Sequence, residues 1–302
     1  MMHLRDSTVE ALLRGRASCE RFAVALHGIG EELAEKSRAL PQFARTLRAL
    51  RAAEALLRRP LRVALLGESN AGKSTLANLM LGNAVLPTLQ LSNTPIPTLI
   101  RHAPQPTVTA ILEGGSSRPL TPGQRAPDNM ICAAVGLPIP HLLACEVIDF
   151  PGFADPWLGY RSSDVVRHRV DISVWCTFST QAWKESERAA WSRLPKRMRA
   201  NALLLGTSKD LLRDEQALKV AARLASSGGP EFRSSLLISS MQARRALDAH
   251  GAVRDVSQWR ASGAAEYFTA LGTLVAEIRA ARLKRTQAFA NRIAGEALAR
   301  FR

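Results

Sequence analysis

Gly67-Glu68-Ser69-Asn70-Ala71-Gly72-Lys73-Ser74 fits the pattern G-x-x-x-x-G-K-[ST], and the residue types in it suit one task. Glycines let the backbone curl until its N–H groups converge on phosphate oxygens. Lys73 supplies a point charge to the β- and γ-phosphates, and Ser74 offers a hydroxyl to Mg²⁺. Thr75 follows inside a helix whose positive dipole end faces the same ligand. An apolar run from Leu61 leads into the loop and a helical pattern leads out. That strand–loop–helix context separates a phosphate loop from a chance glycine turn.

Two further segments complete the chemistry. Val147-Ile148-Asp149-Phe150-Pro151-Gly152 ends an apolar run in D-x-P-G. Asp149 is placed to hold the Mg²⁺ shell, and the Gly152 N–H to sense the γ-phosphate. Leu203-Leu204-Leu205-Gly206-Thr207-Ser208-Lys209-Asp210 ends another. In GTPases an [NT]-K-x-D segment reads the base: the Asp accepts from guanine N1 and N2, and the Lys stem covers the ring. Asp210 stands correctly after Thr207, but Ser208 occupies the Lys position and Lys209 comes one place late. Ser239 and Ser240, in Ile238-Ser239-Ser240-Met241-Gln242-Ala243, look like the short segment that backs the base with main-chain N–H groups. The ligands expected are GTP or GDP with Mg²⁺.

Positioning these loops requires an α/β scaffold. Candidate strands are Arg62–Leu66, Thr98–His102, Thr107–Leu112, Leu142–Asp149, Ile172–Phe178, Ala202–Gly206 and Leu236–Ile238, most of them separated by helical patterns. This predicts a P-loop fold with a mixed, mostly parallel sheet and helices on both faces. Only four residues, Ala103 to Pro106, link the second and third of these strands, so they are expected to pair antiparallel at a mixed edge. Outside the middle, residues 6–38 read as one amphipathic helix carrying Val9, Leu12, Leu13, Cys19, Phe22, Leu26, Ile29 and Leu33. A second runs from Gln42 to Arg58 with Phe43, Leu47, Leu50, Leu56 and Leu57 inward, and a third occupies 263–301. The expected organisation is N-terminal helices over 1–59, a GTPase domain over 60–250, and a C-terminal helix over 251–302 that packs with the first helices into a small bundle.

Lys and Arg number 41 against 26 Asp and Glu, a net charge of +15. Such a surface suits anionic partners such as phospholipid, nucleic acid or an acidic protein. Between Arg279 and Arg302 seven basic residues face one acidic residue, which reads as a solvated basic face or a lipid-docking one. RNA is the weaker reading because no RNA-binding motif with stacking aromatics accompanies the charge. Cys19, Cys132, Cys145 and Cys176 form no CxxC pair and read as reduced core thiols of a cytoplasmic protein. No signal-peptide core and no membrane-spanning apolar stretch is visible, so any membrane contact is expected at the surface.

With these parts in hand, the chain resembles the dynamin superfamily of large GTPases, particularly bacterial dynamin-like proteins. The resemblance rests on "GESNAGKSTLANLMLGNAVLP", "TLQLSNTPIPTLIRH", "VIDFPGF" and "WCTFSTQAWKESERAAWSRLP", and covers about residues 61–245. It implies a switch residue, Thr94, reached after six residues, Thr88 to Asn93, from the Leu86-Pro87 that follows the phosphate-loop helix. Thr94 would complete the Mg²⁺ shell and orient the attacking water. Ras-type enzymes place a Gln after the D-x-x-G glycine, where this chain has Phe153. Help is then expected from the phosphate loop itself, at Ser69 and Asn70. Asn70 holds the position where cation-dependent GTPases coordinate K⁺ or Na⁺; otherwise it closes its own backbone turn. The chain leaves no room for a dynamin stalk, so stalk-driven fission is not expected.

Three functions are consistent with these residues. The first is a GTP hydrolase activated by GTPase-domain dimerisation and acting at a membrane surface or on a partner. The second is a GTP-gated binding module that recruits a larger dynamin-like protein. The third is an RNA- or ribosome-associated GTPase.

Overall fold

A computed structural model describes residues 6–37, 44–82, 96–121, 126–152, 170–229 and 231–299. The chain divides into two compact units, Met1–Leu12 with Leu61–Leu271, and Leu13–Pro60 with Gly272–Arg302.

The first unit is built on a nine-stranded sheet. In chain order its strands are β1 (Leu61–Gly67), β2 (Thr98–His102), β3 (Thr107–Leu112), β4 (Ser117–Pro119), β5 (Met130–Leu137), β6 (Cys145–Asp149), β7 (Ile172–Phe178), β8 (Ala202–Thr207) and β9 (Ser234–Leu237). Across the sheet they lie in the order β4-β3-β5-β2-β6-β1-β7-β8-β9. From β6 through β9 every pairing is parallel. Strands buried on both faces need near-continuous apolar runs, and β1, β7 and β8 supply them. Their C-terminal ends therefore share one edge, where open α/β sheets place their ligands.

The helices are α1 (Asp6–Leu13), α2 (Arg16–Ser37), α3 (Ala44–Arg58), α4 (Lys73–Met80), α5 (Glu185–Ser192), α6 (Lys196–Arg199), α7 (Asp214–Gly228), α8 (Ser240–Arg245), α9 (Val256–Ala261) and α10 (Ala264–Ala299). The sheet is mixed but mostly parallel, with helices on both faces. Trp175, Trp183, Trp191 and Phe232 pack ring against ring in its core, with centroids 4.4–5.9 Å apart.

Several expectations need correction. β2 and β3 are not neighbours: β5 lies between them, parallel to β2 and antiparallel to β3. The mixed edge is real, because β4, β3 and β5 pair antiparallel there; β2, further in, also runs antiparallel to β6. β5, Met-Ile-Cys-Ala-Ala-Val-Gly-Leu, is buried along its whole length and so shows no period-two alternation. The strand expected from Leu142 begins only at Cys145, after a single turn of 3₁₀ helix led by Pro140. The helix expected over 6–38 is two: Gly15, at φ +71°, separates α1 from α2.

In the second unit, Cys19, Ala23 and Leu26 of α2 share a core with Leu50, Ala53 and Leu57 of α3 and with Leu283 and Phe289 of α10. Val9, Leu13, Ile29 and Leu56 stay exposed, contrary to the helical pattern. Arg279 and Arg282 are not part of a solvated face. Both are buried, 5% and 4% exposed. Arg279 Nη1 donates to the Arg14 carbonyl at 2.6 Å, and Arg282 Nη1 donates to the carbonyls of Leu56 and Arg59 at 3.2 and 2.8 Å. Both guanidinium groups thus donate to carbonyls that lie where helices end. The four cysteines are buried free thiols. Among the described residues, no helix is long and apolar enough to cross a membrane.

Candidate functional site

The phosphate loop bridges β1 and α4. Gly67 takes φ +135°, and a Cβ on it would collide with the Cys176 carbonyl of β7. Gly72 takes φ +80°, and a Cβ added to it would lie 3.3 Å from the Thr207 side chain. Asn70 also adopts a left-handed conformation, φ 62°, as Asn does more readily than most residues. Ser69 and Asn70 are exposed; Ala71 is buried.

Lys73 is 7% exposed. Its Nζ donates to the carbonyls of Glu68 at 2.6 Å and Gly67 at 3.2 Å, so the ammonium lies across the mouth of the loop. Burial lowers its pKa, opposed by the charges of Asp149 and Glu68. Ser74, exposed in the first turn of α4, donates to Asp149 Oδ2 at 2.7 Å. Asp149 comes from the end of β6. Burial raises its pKa, while the Ser74 hydroxyl and the Lys73 charge pull the other way. Its Oδ1 is buried and has no partner among the described residues. A hydroxyl and a carboxylate brought together with one oxygen left over form the hard-oxygen set that suits Mg²⁺. Thr75 is half-buried on α4. Thr94 and Phe153 lie outside the described residues.

Gly152 closes on the loop from the other side, and a Cβ there would overlap the hydroxyl and backbone nitrogen of Ser69. The D-x-P-G turn and the phosphate loop are thus in direct contact.

The segment expected to read the base behaves differently. Thr207 is buried, and its hydroxyl donates to the carbonyls of Ala71 at 3.0 Å and Thr177 at 3.3 Å. In this arrangement it braces the phosphate loop. Ser208 takes φ 56°, with its carbonyl accepting from Ser179 Oγ at 3.1 Å. Lys209 sends Nζ to the Ala261 carbonyl at 2.7 Å, and Asp210 is exposed. Ser239 caps α8 by accepting from Gln242 N, whereas Ser240 Oγ is buried without a hydrogen-bond partner among the described residues.

A group missed by motif reading stands beside the loop. Glu68 Oε2 is paired with Lys184 Nζ at 3.0 Å, and Oε1 accepts from Ser186 Oγ at 2.9 Å. Hydrogen bonding from Lys184 holds the Glu68 carboxyl below its ordinary pKa. One local signal was available: in Lys184-Glu185-Ser186-Glu187 a Glu sits three residues into a helix start, the spacing at which a carboxylate reaches back to the cap.

Residues 62–205 match the family model described as 50S ribosome-binding GTPase. The isoniazid-induced protein IniC of Mycobacterium tuberculosis is 36% identical over 108 residues, covering 32% of this chain and 22% of that relative. The chain therefore matches less than a quarter of the length of this curated relative. Among solved structures, it superposes on a chain of an oligomerised bacterial dynamin pair, described as providing a mechanism for the long-range sensing and tethering of membranes. The TM-score is 0.66 at 16% identity, over 95% of this chain and 56% of that one. A second structure of such a pair gives 0.64 at 14% identity, over 92% and 56%. Residues 62–205 thus match a GTPase family model, and the fold of the chain is similar to that of the bacterial dynamin chains.

Proposed function

We propose that the chain hydrolyses GTP to GDP with Mg²⁺ as a dynamin-like enzyme, its turnover raised when GTPase domains dimerise. The observation that carries this is the Ser74–Asp149 contact with Asp149 Oδ1 left unpartnered, beside a Lys73 ammonium already fixed at the loop mouth. Ser74 and Asp149, joined by Thr94, would hold the Mg²⁺, which when bound offsets charge on the phosphate oxygens. Lys73 carries its charge on a stem fixed by burial, so it acts on the β- and γ-phosphates with little reorganisation. Loop N–H groups from Glu68 to Thr75 and the N–H of Gly152 orient the phosphates. Asp210 and Lys209, with the main chain at Ser239 and Ser240, select guanine. Ser69 and Asn70 stand exposed on the loop's leading arm, where they can face a second GTPase domain. There Asn70 would hold K⁺ or Na⁺ in place of an arginine.

Turnover is tested with purified chain in Mg²⁺ against EDTA, in KCl against LiCl, and with Asp149→Asn. Loss of turnover in EDTA and in Asp149→Asn is expected, together with an Asn70-dependent gain from K⁺. GTP bound at parent affinity without Mg²⁺-dependent turnover would instead identify a GTP-gated module that recruits a partner.

The dynamin fold and the +15 charge support action at an anionic membrane surface, or on a second dynamin-like protein. The description of the matched family favours a second reading, association with ribosomes or RNA. Co-sedimentation with phosphatidylglycerol vesicles and with ribosomes, each with GTP and GDP, separates the two.

A further inference from the structure

The start of α5 holds the phosphate loop by the side chain of its second residue. Glu68 accepts from Lys184 Nζ at 3.0 Å through one carboxylate oxygen and from Ser186 Oγ at 2.9 Å through the other, across more than a hundred residues of sequence. The holder is itself fixed from below. Glu187 is only 2% exposed. Its Oε2 accepts from Thr177 Oγ1 at 2.8 Å and from the Lys184 backbone N–H at 2.9 Å, and its Oε1 from Trp175 Nε1 at 3.3 Å. Thr177 Oγ1 in turn accepts from the Trp183 N–H at 2.9 Å, and Trp183 sits in a left-handed conformation, φ 59°. A bulky residue there costs energy that the surrounding bonds must offset. Lys184 therefore does not swing freely from a solvated helix; it is anchored through Glu187 to β7.

β7 is also the strand whose Cys176 carbonyl lies against Gly67. Both ends of the contact thus hang from neighbouring strands, β1 and β7. Between them, the Glu68 main-chain carbonyl is drawn by Lys73 at 2.6 Å while its carboxylate is drawn by Lys184 and Ser186. The two residues that follow are Ser69, pressed by Gly152, and Asn70, left-handed and exposed. Thr207 holds the loop further along, at the Ala71 carbonyl; at Glu68 the grip comes from Lys184 and Ser186.

We propose that Lys184 and Ser186 are positioning residues. By clamping Glu68 they hold the leading arm of the phosphate loop in the geometry that the transition state needs, and Glu187 keeps the clamp in place. The kinetic form of this proposal rests on the GTPase reading above; the ordering of the loop does not. Catalytic geometry tolerates little slack, since a displacement near 1 Å costs on the order of 10²-fold in rate. The clamp should therefore bear on kcat more than on product affinity.

The test uses the full chain with Lys184→Met, Lys184→Arg, Ser186→Ala, Glu68→Gln and the Glu68→Gln/Lys184→Met pair. Turnover, mant-GDP affinity, thermal melting and hydrogen exchange of the loop peptide are measured on each. Lys184→Met should lower kcat by about tenfold or more. Its mant-GDP affinity should stay within about threefold of the parent. Lys184→Arg should recover most of the rate, and adding Glu68→Gln to Lys184→Met should cost little more, because the two residues act through one contact. Exchange at residues 68–72 should rise in Lys184→Met and Ser186→Ala. Parent-like kcat in Lys184→Met, independent multiplication of the two losses, or unchanged loop exchange would each overturn the proposal. If the parent itself fails to turn over GTP, the enzyme reading falls, and loop exchange still decides the clamp. Ser186→Ala removes one bond without removing charge and serves if Lys184→Met melts early.

Discussion

Gly152, at the end of the β6 turn, lies so close to Ser69 that a methyl group on it would overlap the serine hydroxyl and backbone nitrogen. Two sequence motifs whose leading and last glycines, Gly67 and Gly152, stand 85 residues apart are thereby a single packed structure. The turn that should sense the γ-phosphate cannot move toward the loop without moving Ser69.

Gly152→Ala should therefore displace the loop's leading arm. Over-packing of this kind costs about 1–3 kcal/mol, and part of it should appear as weaker mant-GTP binding because the loop yields more easily than the strand behind the turn. Gly28→Ala is the counterpart: nothing lies within 4 Å of its added Cβ, and it sits inside α2. That variant should melt higher, by roughly 0.5–1 kcal/mol of stability. Parent-like nucleotide affinity in Gly152→Ala would show that the contact has room to relax.

The phosphate loop was legible because its chemistry is local: eight consecutive residues carry the glycines, the lysine and the hydroxyl. Asp149 was legible for the same reason, as the end of an apolar run. The insertion of β5 between β2 and β3 was not, because a strand buried on both faces leaves no alternation and the short link suggested a direct pairing. Arg279 and Arg282 look in sequence like any other basic residues of an exposed face; only the helix ends brought against them reveal why they are inside. Lys184 and Glu68 belong to different motifs, and no spacing rule joins them.

Asp210 is expected to set the base preference. Its carboxylate is exposed beside a lysine already engaged with the Ala261 carbonyl, so it is open to a ligand. Guanine offers two N–H donors to such a carboxylate. Asp210→Asn replaces one acceptor with a donor and should shift preference toward xanthosine nucleotides, measured by competition against mant-GTP. Equal affinity of the parent for ATP and GTP would remove the guanine assignment.

Arg282 should carry a large share of the second unit's stability. It is 4% exposed and donates to two carbonyls at the C-terminal end of α3. Arg282→Met keeps most of the apolar stem but leaves those carbonyls without that donor. The loss of bonds from a charged group to buried acceptors costs about 1.5–3 kcal/mol, which should lower the denaturation midpoint. Arg285→Met, on an exposed position of the same helix, should stay within about 0.5 kcal/mol. Equal effects of the two substitutions would mean that Arg282 is not structurally engaged.

His141 gives the protein an acid-sensitive joint. It is 8% exposed, in the turn before β6, with Nε2 at 3.0 Å from the Met80 carbonyl at the end of α4. A carbonyl can only accept, so Nε2 carries the proton of the neutral ring. Burial pushes the pKa below its ordinary value of 6.5, outweighing the carbonyl's opposite pull. The sign follows from where each state binds protons. Above pH 6.5 the ring is neutral both folded and unfolded, and pH has no effect through it. Below 6.5 the unfolded chain takes up a proton that the folded chain refuses, so stability falls until the lower folded pKa is reached. The slope is at most about 1.4 kcal/mol per pH unit. Urea unfolding between pH 7.5 and 5 should show this loss in the parent and a shallower one in His141→Gln, whose amide can still donate to Met80. Parallel curves for the two proteins would show that His141 titrates alike in both states.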